Sequence, residues 1–207
     1  MARYKVAPTK TNLFTLRREE QFAREGHRFL EEKRDVLMLE LMTAAVKTGD
    51  MQKKVDDALK EAFGALEQAM VRMGRGGVKA AALAVDADGD INIRMRQVMG
   101  TRVPLIEMRT GELKPCYSLM DTSITLDDAA VRFRKVLGLT VQLAQLRTGV
   151  LRLSAAVRKT TRRVNALEKI HLPDYQETIK YINDILENQG REGFFILKLL
   201  KSRLMER

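Results

Sequence analysis

Few residues in this chain have types and spacings that chemistry could use. Asp86-Ala87-Asp88-Gly89-Asp90 opens like a calcium loop, with carboxylates on alternate residues. Such a loop needs a sharp-turn glycine and, at its end, a bidentate glutamate, and Ile91 and Gln97 stand in those places. The segment therefore reads as an Asp-Gly turn. His27 and His171 carry the only imidazoles, but no carboxylate or cysteine accompanies them at ligand spacing, so they read as packing residues. Cys116 is the single cysteine; it has no internal disulfide partner, fits a reducing compartment and reads as an ordinary loop thiol. Gly74-Arg75-Gly76-Gly77 follows no strand and lacks the Gly-x-x-x-x-Gly-Lys-Ser/Thr spacing of a phosphate cradle, so it reads as a helix end. No Ser/His/Asp, Cys/His, paired-carboxylate or metal-binding set remains. The expectation is a protein that is not an enzyme, with no catalytic residue, cofactor or metal.

Composition points to an elongated helical protein. Of 207 residues, 5% are aromatic, none is tryptophan, and 31% are charged, while the apolar 45% is largely Ala, Leu, Val and Met. Long helices packed along narrow seams use such residues; a large globular core needs more aromatic volume. The formal net charge of +10 calls for an acidic counterpart, whether nucleic acid, anionic lipid or protein. No run approaches the roughly 18 apolar residues of a membrane span, and the first ten residues lack a signal-peptide core.

Three segments follow from periodicity. Residues 1–73 form a short basic arm and then one long helix. Its seam is Leu13, Leu16, Ala23, Leu30, Leu37, Leu41, Ala44, Thr48, Met51, Val55, Ala58, Ala62, Leu66, Ala69 and Met73. Glu20, His27 and Arg34 interrupt it as register-setting polar residues, and Gly26 is a candidate bend. Residues 74–125 are turn-rich. There Ile91–Met99 alternates apolar with polar, Gly100-Thr101-Arg102 turns, and Val103–Met108 returns, giving a β-hairpin with Val98, Met99, Gly100 and Val103 around its turn and Pro104 at an edge. A loop containing Gly111 and Pro115 leads back to helix, with Thr125 or Asp127 as cap.

Residues 126–207 hold a second long helix with a bend near Pro173, which lacks an N–H and clashes with the preceding turn. Its seam reads Phe133, Val136, Thr140, Leu143, Val150, Ser154, Val157, Thr161 and Val164, then Tyr175, Ile179, Ile182, Leu186, Gln189, Gly193, Ile196 and Leu200. Between Asp128 and Glu168 there is no carboxylate, although Arg132, Arg147, Arg158, Arg162 and Arg163 all lie there.

The simplest way to bury both seams is one elongated domain, an antiparallel two-helix coiled coil with a small central hairpin. If Met73 lies near Leu126, paired residue numbers sum to about 198. Val55 then meets Leu143, Ala62 meets Val136, Leu41 meets Val157, and Gly26-His27 lies opposite His171-Leu172-Pro173. Arg34, Asp35 and Glu168 are candidate register or salt-bridge residues within the coiled coil, with Asp35 expected to pair with a nearby base.

Thr9-Lys10-Thr11-Asn12-Leu13, Gly26 and Leu30-Glu31-Glu32-Lys33-Arg34-Asp35-Val36-Leu37 resemble the N-terminal helix of the D subunit of the V-type and archaeal-type rotary ATPases. Val98-Met99-Gly100 with Val103-Pro104 resembles its central hairpin. Arg162-Arg163-Val164-Asn165-Ala166-Leu167-Glu168, Leu172-Pro173, Glu177-Thr178-Ile179 and Arg191-Glu192 before Phe194-Phe195 resemble its C-terminal helix. Leu172 departs from a common isoleucine, and Gly193 from a larger residue.

The resemblance implies a non-catalytic central-stalk rotor subunit. It transmits torque between ATP hydrolysis or synthesis in the hexamer and proton or sodium translocation in the membrane ring. The implied partners are the catalytic and non-catalytic subunits of the hexamer, the F subunit of the central stalk, and the funnel-shaped subunit above the ring. Direct nucleic-acid contact is not expected, and the implied location is cytoplasmic, peripheral on the inner face of the membrane. Arg162 and Arg163 become candidate hexamer contacts. The absence of a long tail after Arg207 suits bacterial or archaeal members. Direction of operation, ion choice and the surface that holds the F subunit stay open at this level, and a basic coiled-coil adaptor for nucleic acid or anionic membrane is the alternative.

Overall fold

The computed structural model describes residue 4 and residues 6–85, 89–110, 117 and 122–205. Asp86, Ala87, Asp88, Gly111, Pro115 and Cys116 lie outside the described residues, and with them most of the Asp-Gly turn and the loop thiol. The order is α1 (Lys10–Ala84), β1 (Gly89–Val98), β2 (Thr101–Thr110), α2 (Ile124–Ala166), a π-turn (Leu167–His171) and α3 (Leu172–Met205). The fold is mainly helical, with long helices from the two halves of the chain packed together and one antiparallel hairpin between them in sequence. It divides into two compact units: residues 1–36 with 157–207, and residues 37–156.

In the unit of residues 37–156, Val55, Ala62, Ala65 and Ala69 of α1 and Leu126, Ala129, Val136, Leu143 and Leu153 of α2 are buried. Small alanines on α1 opposite larger aliphatics on α2 let the helices pack closely. The register is read from cross-helix contacts: Arg147 Nη2 donates to Gln52 Oε1 at 2.7 Å, and Phe63 meets Phe133 edge-on at 5.4 Å between centroids. Both pairs fit residue numbers that sum to about 198.

The glycine cluster does not end α1. Gly74 alone leaves helical dihedrals, at φ 72 and ψ 162, and helix resumes to Ala84. That combination is open almost only to glycine. The resumed segment brings Val78 and Ala81 onto Ala69 and Leu126, with Met73 and Tyr117 packed around them. Residues 78–84, which fall in the segment expected to be turn-rich, are helix with a buried face, and so short an apolar stretch carries no clear period in the sequence.

The hairpin is longer than the alternation suggested. Val98 faces Thr101 across Met99 (φ 47) and Gly100 (φ 81), and the register continues to Gly89 opposite Thr110. Two successive positive φ angles make a turn whose twist matches that of the strands. The β2 side leans on α2. Gln145 Oε1 accepts from Ile106 N–H at 2.9 Å, and Arg152 Nη1 donates to the Arg102 carbonyl at 3.0 Å. A Cβ on Gly149 would come within 3.2 Å of Val103 Cγ1. Gln145, Gly149 and Arg152 fall on one helix face at steps of about four and three residues.

In the unit of residues 1–36 and 157–207, Leu16, Val157, Val164 and Ile182 are buried. Past the π-turn the buried positions are Asp174, Thr178 and Ile182, so the seam runs a residue ahead of the expected Tyr175 and Ile179. In α2, similarly, Leu153 and Thr160 are buried where Ser154 and Thr161 were expected. The leucine at 153 has more apolar area to remove from water than the serine beside it. From Glu187 to Met205 every residue is exposed, including Ile196 and Leu200, which the sequence assigned to the seam.

Candidate bearing surface

A helix that hides only part of its apolar area keeps the rest for something else. The last turns of α3 carry Phe194, Phe195, Ile196, Leu197, Leu199, Leu200, Leu204 and Met205, all exposed; Phe194 is 69% and Phe195 68% accessible. Their consecutive numbering puts apolar side chains on every side of the helix, since successive residues step by about 100°. Such a segment suits an enclosing wall better than a single groove. Fully burying one phenylalanine is worth about 1.5–3 kcal/mol. Along the shoulder of this segment Arg191 pairs with Glu187 one turn back.

Arg162 and Arg163 lie on the exposed surface of α2 and make no ion pair among the described residues. Each leaves its guanidinium open to a carboxylate from outside, though an exposed pair of this kind contributes only about 0–1 kcal/mol. Arg132, by contrast, reaches Asp128 at 3.0 Å and Glu61 at 3.9 Å. Asp35 pairs with Arg34, its neighbour in sequence, at 2.9 Å, and Arg34 also approaches Glu31 at 3.9 Å. This contact is local to α1. Glu168 is exposed within the π-turn.

Gly26 stays within the helical run of α1. It lines a cleft of about 790 Å³ with Phe22, Leu30, Leu167, His171 and Tyr175. Pro173 is the second residue of α3 and helix continues through it. The accommodation lies just before it, where the Leu172 N–H bonds to the Leu167 carbonyl, five residues back. A turn widened in this way gives the proline ring room and absorbs the break that otherwise costs about 3 kcal/mol.

The two histidines have separate partners. His27 Nδ1 is 3.5 Å from Glu31, while its Nε2 is buried without a hydrogen bond among the described residues. His171 Nδ1 is 3.2 Å from the Tyr4 hydroxyl. No group of His, Cys, Asp and Glu capable of holding a metal occurs among the described residues.

Tyr4 is a contact that the sequence did not single out, because the arm around it is short and polar. Its N–H donates to Thr178 Oγ1 at 3.2 Å, and its ring lies 4.9 Å from that of Tyr175. Burial raises the Tyr175 pKa above its ordinary 10.0, and the neighbouring Tyr4 and Glu19 add to the effect. No helix among the described residues is long and apolar enough to cross a membrane.

The model of the family described as the D subunit of ATP synthase matches residues 12–202. The D subunit of the A-type ATP synthase of Pyrococcus furiosus is 39% identical over 206 residues, covering 98% of this chain and 96% of the relative. The same-named proteins of Methanobrevibacter smithii and Methanopyrus kandleri are 34% and 35% identical, covering 96% and 98% of this chain. The match takes in the arginine pair, the hairpin and most of the apolar end of α3, and the chain belongs to the family of ATP synthase D subunits.

Proposed function

We propose that this protein is the non-catalytic central shaft of an A-type rotary ATP synthase. In that role it turns inside the hexamer of catalytic and non-catalytic subunits, with the F subunit at its side and the funnel-shaped subunit joining it to the membrane ring. The exposed apolar end of α3 carries the reading. An apolar helix end presented in all directions is costly in water and well suited to a sleeve that encloses it without fixing its rotational angle. The basic stretch from Arg132 to Arg163 supports the same picture, since weak screened contacts can be made and released as the shaft passes successive acidic loops. The magnitudes divide the labour: apolar burial holds the shaft, and Arg162 and Arg163 guide it.

The test reconstitutes the complex and measures hexamer binding, coupled ATP hydrolysis and torque. Wild type is expected to co-migrate with the hexamer, and an Arg162→Ala, Arg163→Ala double variant to bind but couple less efficiently. Unchanged coupling in the double variant would reject the arginine assignment. Tight nucleic-acid binding with a steep salt slope and no association with the hexamer would reject the shaft.

A further inference from the structure

The two edges of the hairpin are treated differently. Across the two-residue turn, Val98 and Thr101 form the first mutually bonded pair, and the ladder then joins 96 with 103, 94 with 105 and 92 with 107. The backbone groups of 102, 104 and 106 therefore point out of β2, and those of 91, 93, 95 and 97 out of β1. The outer edge of β2 is closed. Arg152 takes the Arg102 carbonyl, Gln145 takes the Ile106 N–H, and Pro104 has no N–H to offer.

Nothing comparable closes β1. Among the described residues the outward backbone groups of Ile91, Ile93, Met95 and Gln97 have no hydrogen-bond partner, and the strand has no proline or bulge. Its apolar side chains are also more than half exposed, Ile91 and Met95 at 55% and Ile93 at 57%, with Arg152 Nη1 reaching only the Met95 sulfur at 3.5 Å. A ten-residue edge of this kind is a template for another strand.

We propose that the free edge of β1 receives an extended segment from another subunit of the ATP synthase, which completes a three-stranded sheet. The proposal rests on the shaft reading. Charge sets the chemistry of that segment. Arg94 and Arg96 share the face opposite to Ile91, Ile93 and Met95. Arg94 is 3.9 Å from Glu107, and Arg96, opposite Val103, has no carboxylate among the described residues. The incoming strand therefore alternates apolar residues beside the isoleucines and methionine with carboxylates beside the arginines.

Amide hydrogen exchange on the isolated chain and on the assembled complex tests this residue by residue. The outward amides of Ile91, Ile93, Met95 and Gln97 are expected to exchange freely in the isolated chain and about five- to tenfold more slowly in the complex, as one added ladder bond of about 1–1.4 kcal/mol requires. The inward amides of Asn92, Arg94 and Arg96 should be protected in both. Ile93→Pro removes only an outward N–H, so it should keep the hairpin and abolish the added protection at Ile91 and Met95. A complex that forms with β1 amides exchanging as in the isolated chain overturns the proposal. So does protection in the isolated chain that grows with its concentration, which would assign the edge to a second copy of β1. Failure of wild type to join the complex overturns the shaft reading and this inference with it.

Discussion

Two places in this protein put a helix breaker inside a long helix, and they resolve it in opposite ways. At Gly74 the chain leaves helical space for one residue and helix resumes in a new direction, carrying Val78 and Ala81 onto the core of their unit. At Leu167–His171 the chain never leaves helical space: the residues on either side, Ala166 and Leu172, have φ of −67 and −63, and only the hydrogen-bond spacing changes. The glycine redirects the backbone, whereas the proline changes its bonding pattern. The difference follows from what each residue lacks. Glycine lacks a Cβ and so opens dihedrals closed to others, while proline lacks an N–H and needs space for its ring.

Gly74→Ala should have the largest effect. Beyond the adjoining backbone no atom lies within 4 Å of the added methyl, so the effect is backbone strain at φ 72. A loss of about 2 kcal/mol is expected in chemical denaturation, with new exposure around Val78. Gly76→Ala, two residues on in the resumed helix and equally unobstructed, should instead gain up to about 1 kcal/mol. Equal effects at the two sites would remove the special status of Gly74.

Pro173→Ala tests the other side with a smaller change of opposite sign. Alanine restores an N–H and removes the ring, and stability should rise by about 1 kcal/mol, less than the full interior-proline cost because the π-turn already relieves most of it. Amide exchange near Lys169 and His171 reports whether the turn tightens. A loss of stability on this substitution would show that the π-turn is held by its surroundings and not by the proline.

These two sites also mark what could be read in the sequence. Heptad spacing located the two long helices and the buried residues Leu16, Leu37, Val55, Ala62, Val136, Leu143, Val157 and Val164, because apolar burial is written directly in periodicity. Alternation located the hairpin, but the turn expected at Gly100-Thr101-Arg102 falls at Met99-Gly100, because those two residues take the positive φ angles. Breakers say that something must happen without saying what. The glycine cluster read as an end and proved to be a corner, and Pro173 read as a bend and proved to be preceded by a widened turn. The partner of Asp35 was also beyond reach, since a neighbour in sequence and a base across the coiled coil leave the same trace in composition. At the end of α3 the sequence pattern continued, and only the structure distinguished apolar residues that are packed from those left for a partner.

The smallest effect belongs to a contact that only the π-turn has. Tyr4 bridges from the arm before α1 to His171 and stacks near Tyr175, whose hydroxyl is held in its neutral form by burial and by Tyr4 and Glu19. Its folded pKa lies above the unfolded value, so its contribution is complete below about pH 10 and is lost as pH rises through the folded pKa, because the unfolded chain ionises first. Stability of wild type should therefore fall more steeply above that pH than stability of Tyr175→Phe, with the difference read from denaturation midpoints at matched ionic strength. Tyr175 is only half-buried, and solvent screening keeps the difference small. Glu19→Gln should reduce it further by removing one of the two charges that raise the pKa. Identical alkaline profiles for wild type and Tyr175→Phe would detach the ionisation of Tyr175 from the stability of this unit.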